Sequence, residues 1–136
     1  MITGINHITL SVSDLERSFD FYTEILGCKA IAKWKKGAYL LAGDLWLCLS
    51  LDENTRKSAA VEYTHIAFSV TRQEFQKYSD RLLSLGMKKW KENISDGESL
   101  YILNPDYHKL ELHVGDLFPR SDATIYKQSS ESYSPI

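Results

Sequence analysis

The chain has 136 residues, a hydrophobic fraction of 43% and a formal net charge of −2. These values suit one globular domain or two small fused modules, and give no general case for nucleic acid or an anionic membrane as partner. No apolar run approaches the ~20 residues of a membrane helix, and the N-terminus lacks a signal-peptide pattern, so the expected compartment is cytoplasmic.

The first predicted element is a strand over His7–Val12, with His7, Thr9 and Ser11 on one face and Ile8, Leu10 and Val12 on the other. Ser13-Asp14 then offers a helix cap, with Glu16 three residues after Ser13. Leu15, Phe19, Tyr22, Ile25 and Leu26 recur at helical spacing, and Gly27 stands where the helix should stop. Strand-like runs follow at Ala30–Trp34, Ala38–Leu41 and Leu45–Leu49. Cys28 and Cys48 are the only cysteines, too few for a disulfide framework, and are expected as reduced, mostly buried thiols. Asp52–Ala60 is polar and rich in small residues and reads as a linker.

The same order then repeats. A strand over His65–Val70 places His65, Ala67 and Ser69 on one face. Thr71 with Glu74 caps a helix whose stripe is Phe75, Tyr78, Leu82, Leu83 and Leu85, closed by Gly86. Strand-like runs follow at Lys88–Trp90, Leu100–Leu103 and Lys109–Val114. The predicted fold is therefore α+β, with two paired βαβββ modules in a single domain over residues 1–136. Module one covers about 1–51, the linker about 52–60 and module two about 61–116, and a tail rich in Ser and Tyr fills 117–136.

A four-stranded sheet that curls about one face cannot close alone, so the two modules should form a cleft between inward faces. His7, His65 and Glu111 each sit on a separate predicted strand and point toward that cleft. One strand histidine alone is more often a satisfied core residue than a ligand. Two imidazoles and a carboxylate at matching positions suit a divalent transition metal with coordination positions left open for a ligand or a reaction. In module one, Trp46 and Cys48 occupy the strand that mirrors the Glu111 strand, to within one residue.

At this point the chain resembles the vicinal oxygen chelate (glyoxalase–bleomycin resistance) superfamily. The segment Trp90-Lys91-Glu92-Asn93-Ile94-Ser95-Asp96-Gly97-Glu98-Ser99-Leu100-Tyr101 narrows this to a resemblance to the fosfomycin-resistance glutathione transferases of the FosA type. Asn6-His7 with Thr9, Gly37-Ala38-Tyr39-Leu40, Leu45–Ser50, Tyr63-Thr64-His65 and Leu110–Gly115 match as well, over about residues 1–120.

The resemblance implies a Mn(II) site formed by His7, His65 and Glu111, in a domain-swapped homodimer where His7 of one chain joins His65 and Glu111 of the other. It implies fosfomycin and glutathione as substrates, and opening of the fosfomycin epoxide by the thiol. Lys91, Ser95, Ser99, Tyr101 and Arg120 match the family's phosphonate-binding set, with Lys a point charge and Arg a fork for the oxyanion. Asn93, Ser95, Gly97 and Ser99 resemble its potassium loop, where an isolated Asp96-Gly97 would read only as a turn. By the same resemblance Thr9 hydrogen-bonds the phosphonate or epoxide oxygen, Tyr39 contacts the attacking thiol, and Trp46 and Tyr63 wall the cleft.

The chain also departs from the pattern. Tyr107 replaces a usual glycine in Asn104-Pro105-Asp106-Tyr107-His108, where a positive φ would strain it. Ile66 and Lys36 stand where glutathione-using members usually carry Tyr and Gln, and Pro119 precedes Arg120. Four other functions compete. A bacillithiol-type transferase usually has Cys at the place of Thr9. An epoxide hydrolase needs a carboxylate base, for which Asp44 is one carbon short. An iron extradiol dioxygenase shares the triad without needing the anion site. A metal-free drug-sequestering protein needs neither.

Overall fold

In the computed structural model, the structure describes residues 1–93 and 97–117. Two four-stranded sheets of identical topology carry the fold. Strand β1 (His7–Val12) runs parallel to β4 (Leu45–Leu51), which pairs antiparallel with β3 (Gly37–Ala42), and β3 with β2 (Lys29–Trp34). In the second sheet β5 (Ile66–Ser69) runs parallel to β8 (Lys109–His113), followed outward by β7 (Ser99–Leu103) and β6 (Lys89–Lys91). Helix α1 (Leu15–Asp20) follows β1 and α2 (Arg72–Ser84) follows β5. The repeat read from the sequence is thus reproduced element by element. No helix among the described residues is long and apolar enough to cross a membrane.

Each sheet buries one face. Leu10, Val12, Leu40, Leu47 and Leu49 of the first sheet join Leu100, Ile102, Leu110 and Leu112 of the second in one core with Phe21, Tyr22, Phe75 and Leu82. Burying a side chain of this size contributes roughly 1.5–3 kcal/mol, so this shared core sets which faces turn inward. The polar faces, with His7, Thr9 and Ser11 on β1 and Glu111 and His113 on β8, turn away from it.

Two local departures have physical causes. Asp14 caps α1, accepting from the Arg17 N–H at 3.1 Å, because Ser13 is engaged elsewhere. After Asp20 the helix widens into a π turn over Phe21–Ile25, with Leu26 N–H donating to the Phe21 carbonyl. That turn seats Phe21 and Tyr22 together in the core, edge to face at 5.0 Å. Thr71 caps α2 through the Glu74 N–H, as predicted. Gly27 and Gly86 end the two helices with φ of 79° and 83°.

Polar contacts join the modules at a few points. Ser13 gives both its N–H and its hydroxyl to the Asp106 carboxylate, and Arg17 lies 3.5 Å from the same group. Asn104 donates to the Tyr22 hydroxyl at 2.9 Å, and the Tyr78 hydroxyl donates to the Leu26 carbonyl at 2.7 Å. Burial pushes the Tyr22 phenol far above its ordinary pKa and raises that of Tyr78. Asn104 also accepts from the N–H groups of Asp106 and His108, closing the β7–β8 turn.

Asp106 is 2% exposed. Asp106→Ala should cost about 1–3 kcal/mol, because it strands the buried Ser18 hydroxyl and removes the acceptor of both Ser13 donors. Urea unfolding tests this, and a loss below about 1 kcal/mol would show that the contact is dispensable. In the same turn Tyr107 has φ 65°, the strained conformation anticipated from its sequence position. Tyr107→Gly should raise stability by about 1 kcal/mol. An unchanged or lower urea midpoint would mean the tyrosine's contacts outweigh its backbone strain.

Candidate metal and anion site

The second sheet assembles a polar cluster from β7, β8 and the residue just ahead of β5. His65, just ahead of β5, places Nε2 2.9 Å from Oε1 of Glu111 on β8. The Ser99 hydroxyl on β7 donates to Glu111 Oε2 at 2.7 Å and lies 2.7 Å from His113 Nδ1. His113 Nδ1 is itself 3.2 Å from Glu111 Oε2. The register explains this: Ser99 pairs with His113 and Tyr101 with Glu111, so all four side chains share one face.

Lys91 stands beside this cluster. Its Nζ donates to the Tyr63 hydroxyl at 2.6 Å and lies 4.8 Å from the ring centres of Tyr63 and Tyr101. The hydrogen bond to Tyr63 raises the lysine pKa above its ordinary value, so the ammonium stays charged. His65 is walled by the rings of Tyr63, Trp90 and Tyr101 at 5.3, 5.3 and 6.1 Å. Trp90 and Lys91 are neighbours in β6, where alternation alone would send them to opposite faces. A bulge between Lys89 and Lys91 lets both reach the same cup.

The first sheet makes a separate cavity of about 320 Å³, lined by His7, Thr9, Tyr39, Trp46 and Lys36 among others. His7 and Trp46 are 4.4 Å apart and Tyr39 and Trp46 5.2 Å, centre to centre. The buried Trp46 Nε1 has no hydrogen-bond acceptor among the described residues. His7 Nδ1 donates to Asn6 Oδ1 at 2.7 Å, which makes Nε2 the lone-pair nitrogen. Thr9 pairs with Cys48 and Ala67 with Glu111, so the buried Cys48 is the counterpart of Glu111 and resolves the one-residue offset.

The donor chemistry suits a divalent metal. His65 and Glu111 are spaced as two donors at right angles, each ~2.1 Å from one ion, would be. Among the described residues of one chain, however, no three His, Cys, Asp or Glu side chains form a metal-holding group. The expected third ligand, His7, lies on the other sheet.

The remaining expectations divide. Asn93 donates to the Gly97 carbonyl at 2.8 Å, closing the loop read as a cation site. Ser95 and Arg120 lie outside the described residues, as do Pro119 and nearly all of the tail. Asp44, considered as a hydrolase base, lines a different cavity with Leu26, Cys28 and Phe68 rather than the Tyr39–Trp46 one. Burial there pushes the Cys28 thiol up to about 11. Trp90 and His113 were not singled out from the sequence; the signal for His113 was its place two residues beyond Glu111 on one strand face.

The chain belongs to the glyoxalase/bleomycin resistance protein/dioxygenase superfamily, whose family model matches residues 4–112. Within it, the chain is similar to fosfomycin-resistance proteins. It is 50% identical over 122 residues to a glutathione transferase FosA from Serratia marcescens, covering 88% of this chain and 86% of that protein. It is 37% identical over 133 residues to a metallothiol transferase FosB from Staphylococcus saprophyticus, covering 94% and 86%. Crystal structures of the fosfomycin resistance protein FosX from Listeria monocytogenes share the fold. One has TM-score 0.73 and 33% identity, covering 86% of this chain and 97% of that one. A glutamine variant of that FosX, in complex with Mn(II) and 1S,2S-dihydroxypropylphosphonic acid, has TM-score 0.75 and 31% identity, covering 86% and 96%.

Tyr63→Phe deletes the acceptor that raises the Lys91 pKa, so the value should fall toward that of a free lysine. Titration of the Lys91 side-chain NMR signals measures this. An unchanged value would mean that the ring faces, not the phenol oxygen, hold the cation.

Proposed function

We propose that this chain is a Mn(II)-dependent, potassium-stimulated glutathione S-transferase that inactivates fosfomycin. The carrying observation is the His65–Glu111 pair at 2.9 Å, set beside an ammonium held over two tyrosine rings. A divalent-metal donor pair next to a fixed cation suits a substrate that bears both a phosphonate and an electrophilic oxygen. The similarity to the Serratia glutathione transferase supports the choice of thiol.

The site would be completed by a second copy of the chain, with His7 of one protomer joining His65 and Glu111 of its partner. When bound, the metal supplies Lewis-acid stabilisation of the oxygen released as the epoxide opens. Lys91 binds the phosphonate charge, aided by Tyr101, Ser95 and Arg120, while Ser99, whose proton goes to Glu111, lends only its oxygen. Asn93, Ser95, Gly97 and Ser99 would hold potassium beside it and offset the second negative charge. Thr9 donates to a phosphonate or epoxide oxygen, and Trp46 and Tyr63 wall the cleft. Tyr39 steadies the thiolate as it forms. The thiol gives its proton to solvent. Its sulfur bonds to the epoxide carbon not bearing phosphorus from the side opposite that carbon's C–O bond, which breaks, and the freed oxygen takes up a proton from solvent. The chain contributes position and exclusion of water more than any group of its own.

Phosphorus NMR of fosfomycin with purified protein, Mn(II) and potassium should show an adduct only when glutathione is added, and more slowly when sodium replaces potassium. Glu111→Gln should lower the rate by roughly 100-fold, since it removes a charged ligand. A diol signal without thiol would assign hydrolysis instead, the chemistry for which Asp44 is poorly placed. No new signal in either tube would point first to another thiol as co-substrate and, if none reacts, to a sequestering protein.

A further inference from the structure

We infer that His113 is a positioning residue: through Ser99 and directly, it fixes the rear oxygen of Glu111 so that the front oxygen faces His65. The inference rests on the proposed role of Glu111 as a metal ligand and adds a residue to it.

Three atoms form a closed triangle behind the carboxylate. Ser99 Oγ is 2.7 Å from Glu111 Oε2 and 2.7 Å from His113 Nδ1, and Nδ1 is 3.2 Å from Oε2. Counting protons assigns the bonds. A carboxylate only accepts, and a serine hydroxyl has one proton to give. That proton goes to Oε2. Ser99 Oγ therefore accepts from Nδ1, which must carry hydrogen. In the alternative tautomer the serine would give its proton to Nδ1, and its lone pairs would face the carboxylate at 2.7 Å.

Oε2 is thus held by a hydroxyl that His113 in turn holds, and Nδ1–H also lies near it. Neither contact touches Oε1, which is the oxygen 2.9 Å from His65 Nε2. Ser99 and Glu111 are both buried, so water does not compete for the bond between them, whereas the His113 side chain is 39% exposed. The imidazole is held on its Nδ1 side by its contacts with these two residues, while the rest of the ring is partly open to solvent. The strand register sets His113 against Ser69 on one side and Ser99 on the other. Hydrogen-bond partners of this kind orient ligands and keep a carboxylate basic and ionised.

Asparagine and glutamine separate this role from simple packing. The amide nitrogen of Asn reaches the place of Nδ1, whereas that of Gln reaches the place of Nε2. Mn(II) affinity, read by electron paramagnetic resonance titration without substrates, is the measurement. His113→Ala should weaken binding roughly 10–100-fold, His113→Asn should restore it to within about threefold of the parent, and His113→Gln should stay weak. Parent-like affinity in a folded His113→Ala, or equal losses for Asn and Gln, would overturn the inference. If His113→Ala does not fold, the Asn-against-Gln comparison decides alone. If the parent protein itself binds no Mn(II), the metal centre fails first and the inference falls with it.

Discussion

The Asp106 carboxylate carries a burden out of proportion to its size. It comes from the β7–β8 turn of module two and receives the N–H and hydroxyl of Ser13, ahead of α1 in module one. A negative charge at that end of a helix is favourably placed, and Arg17 sits close enough to balance it. The Tyr22–Asn104 and Tyr78–Leu26 bonds then join the same two surfaces. Together they dock the modules through their helix-bearing, apolar faces. The cost is visible in the backbone: to deliver Asp106 the turn carries Tyr107 through φ 65°, where the equivalent hairpin of module one uses Gly43 at 59°.

That docking dictates what one chain can do at its polar faces. Because both apolar faces join one core, the polar cups lie on the faces turned away from it. The first holds an imidazole, aromatic rings and a buried thiol, and no carboxylate where the second has Glu111. The second holds the carboxylate, the two imidazoles of His65 and His113, and the ammonium of Lys91. Each cup is chemically one-sided.

Much of this was legible because the sequence repeats. Period-two alternation in His7–Val12 and from His65 onward placed both imidazoles on the polar faces, and Gly27 and Gly86 marked helix ends that the structure keeps. The parts that escaped depend on partners distant in sequence or on broken periodicity. Ser13 looks like the first cap until Asp106, 93 residues away, takes its donors and leaves Asp14 to cap α1. Phe21 lies off the helical stripe and is buried because the helix widens. Trp90 joins the cup because β6 bulges, which no alternation rule anticipates.

The same contrast holds within the site. Residues that would touch a ligand announce themselves by type: a histidine, a glutamate or a lysine beside aromatics. The groups that aim them do not. Asn6 sets the tautomer of His7 from one position upstream, and Ser99 and His113 constrain Glu111 from a neighbouring strand and from two residues along its own. Their residue types are ordinary for strand edges and turns, and only the register reveals that their protons converge on one oxygen. A donor pair is specified when the rear of each ligand is fixed as firmly as its front. In this chain that condition is met for Glu111 by the β7–β8 pairing, which ends at the turn that carries Asp106. The contact that docks the modules and the contacts that aim the carboxylate therefore sit at opposite ends of one hairpin.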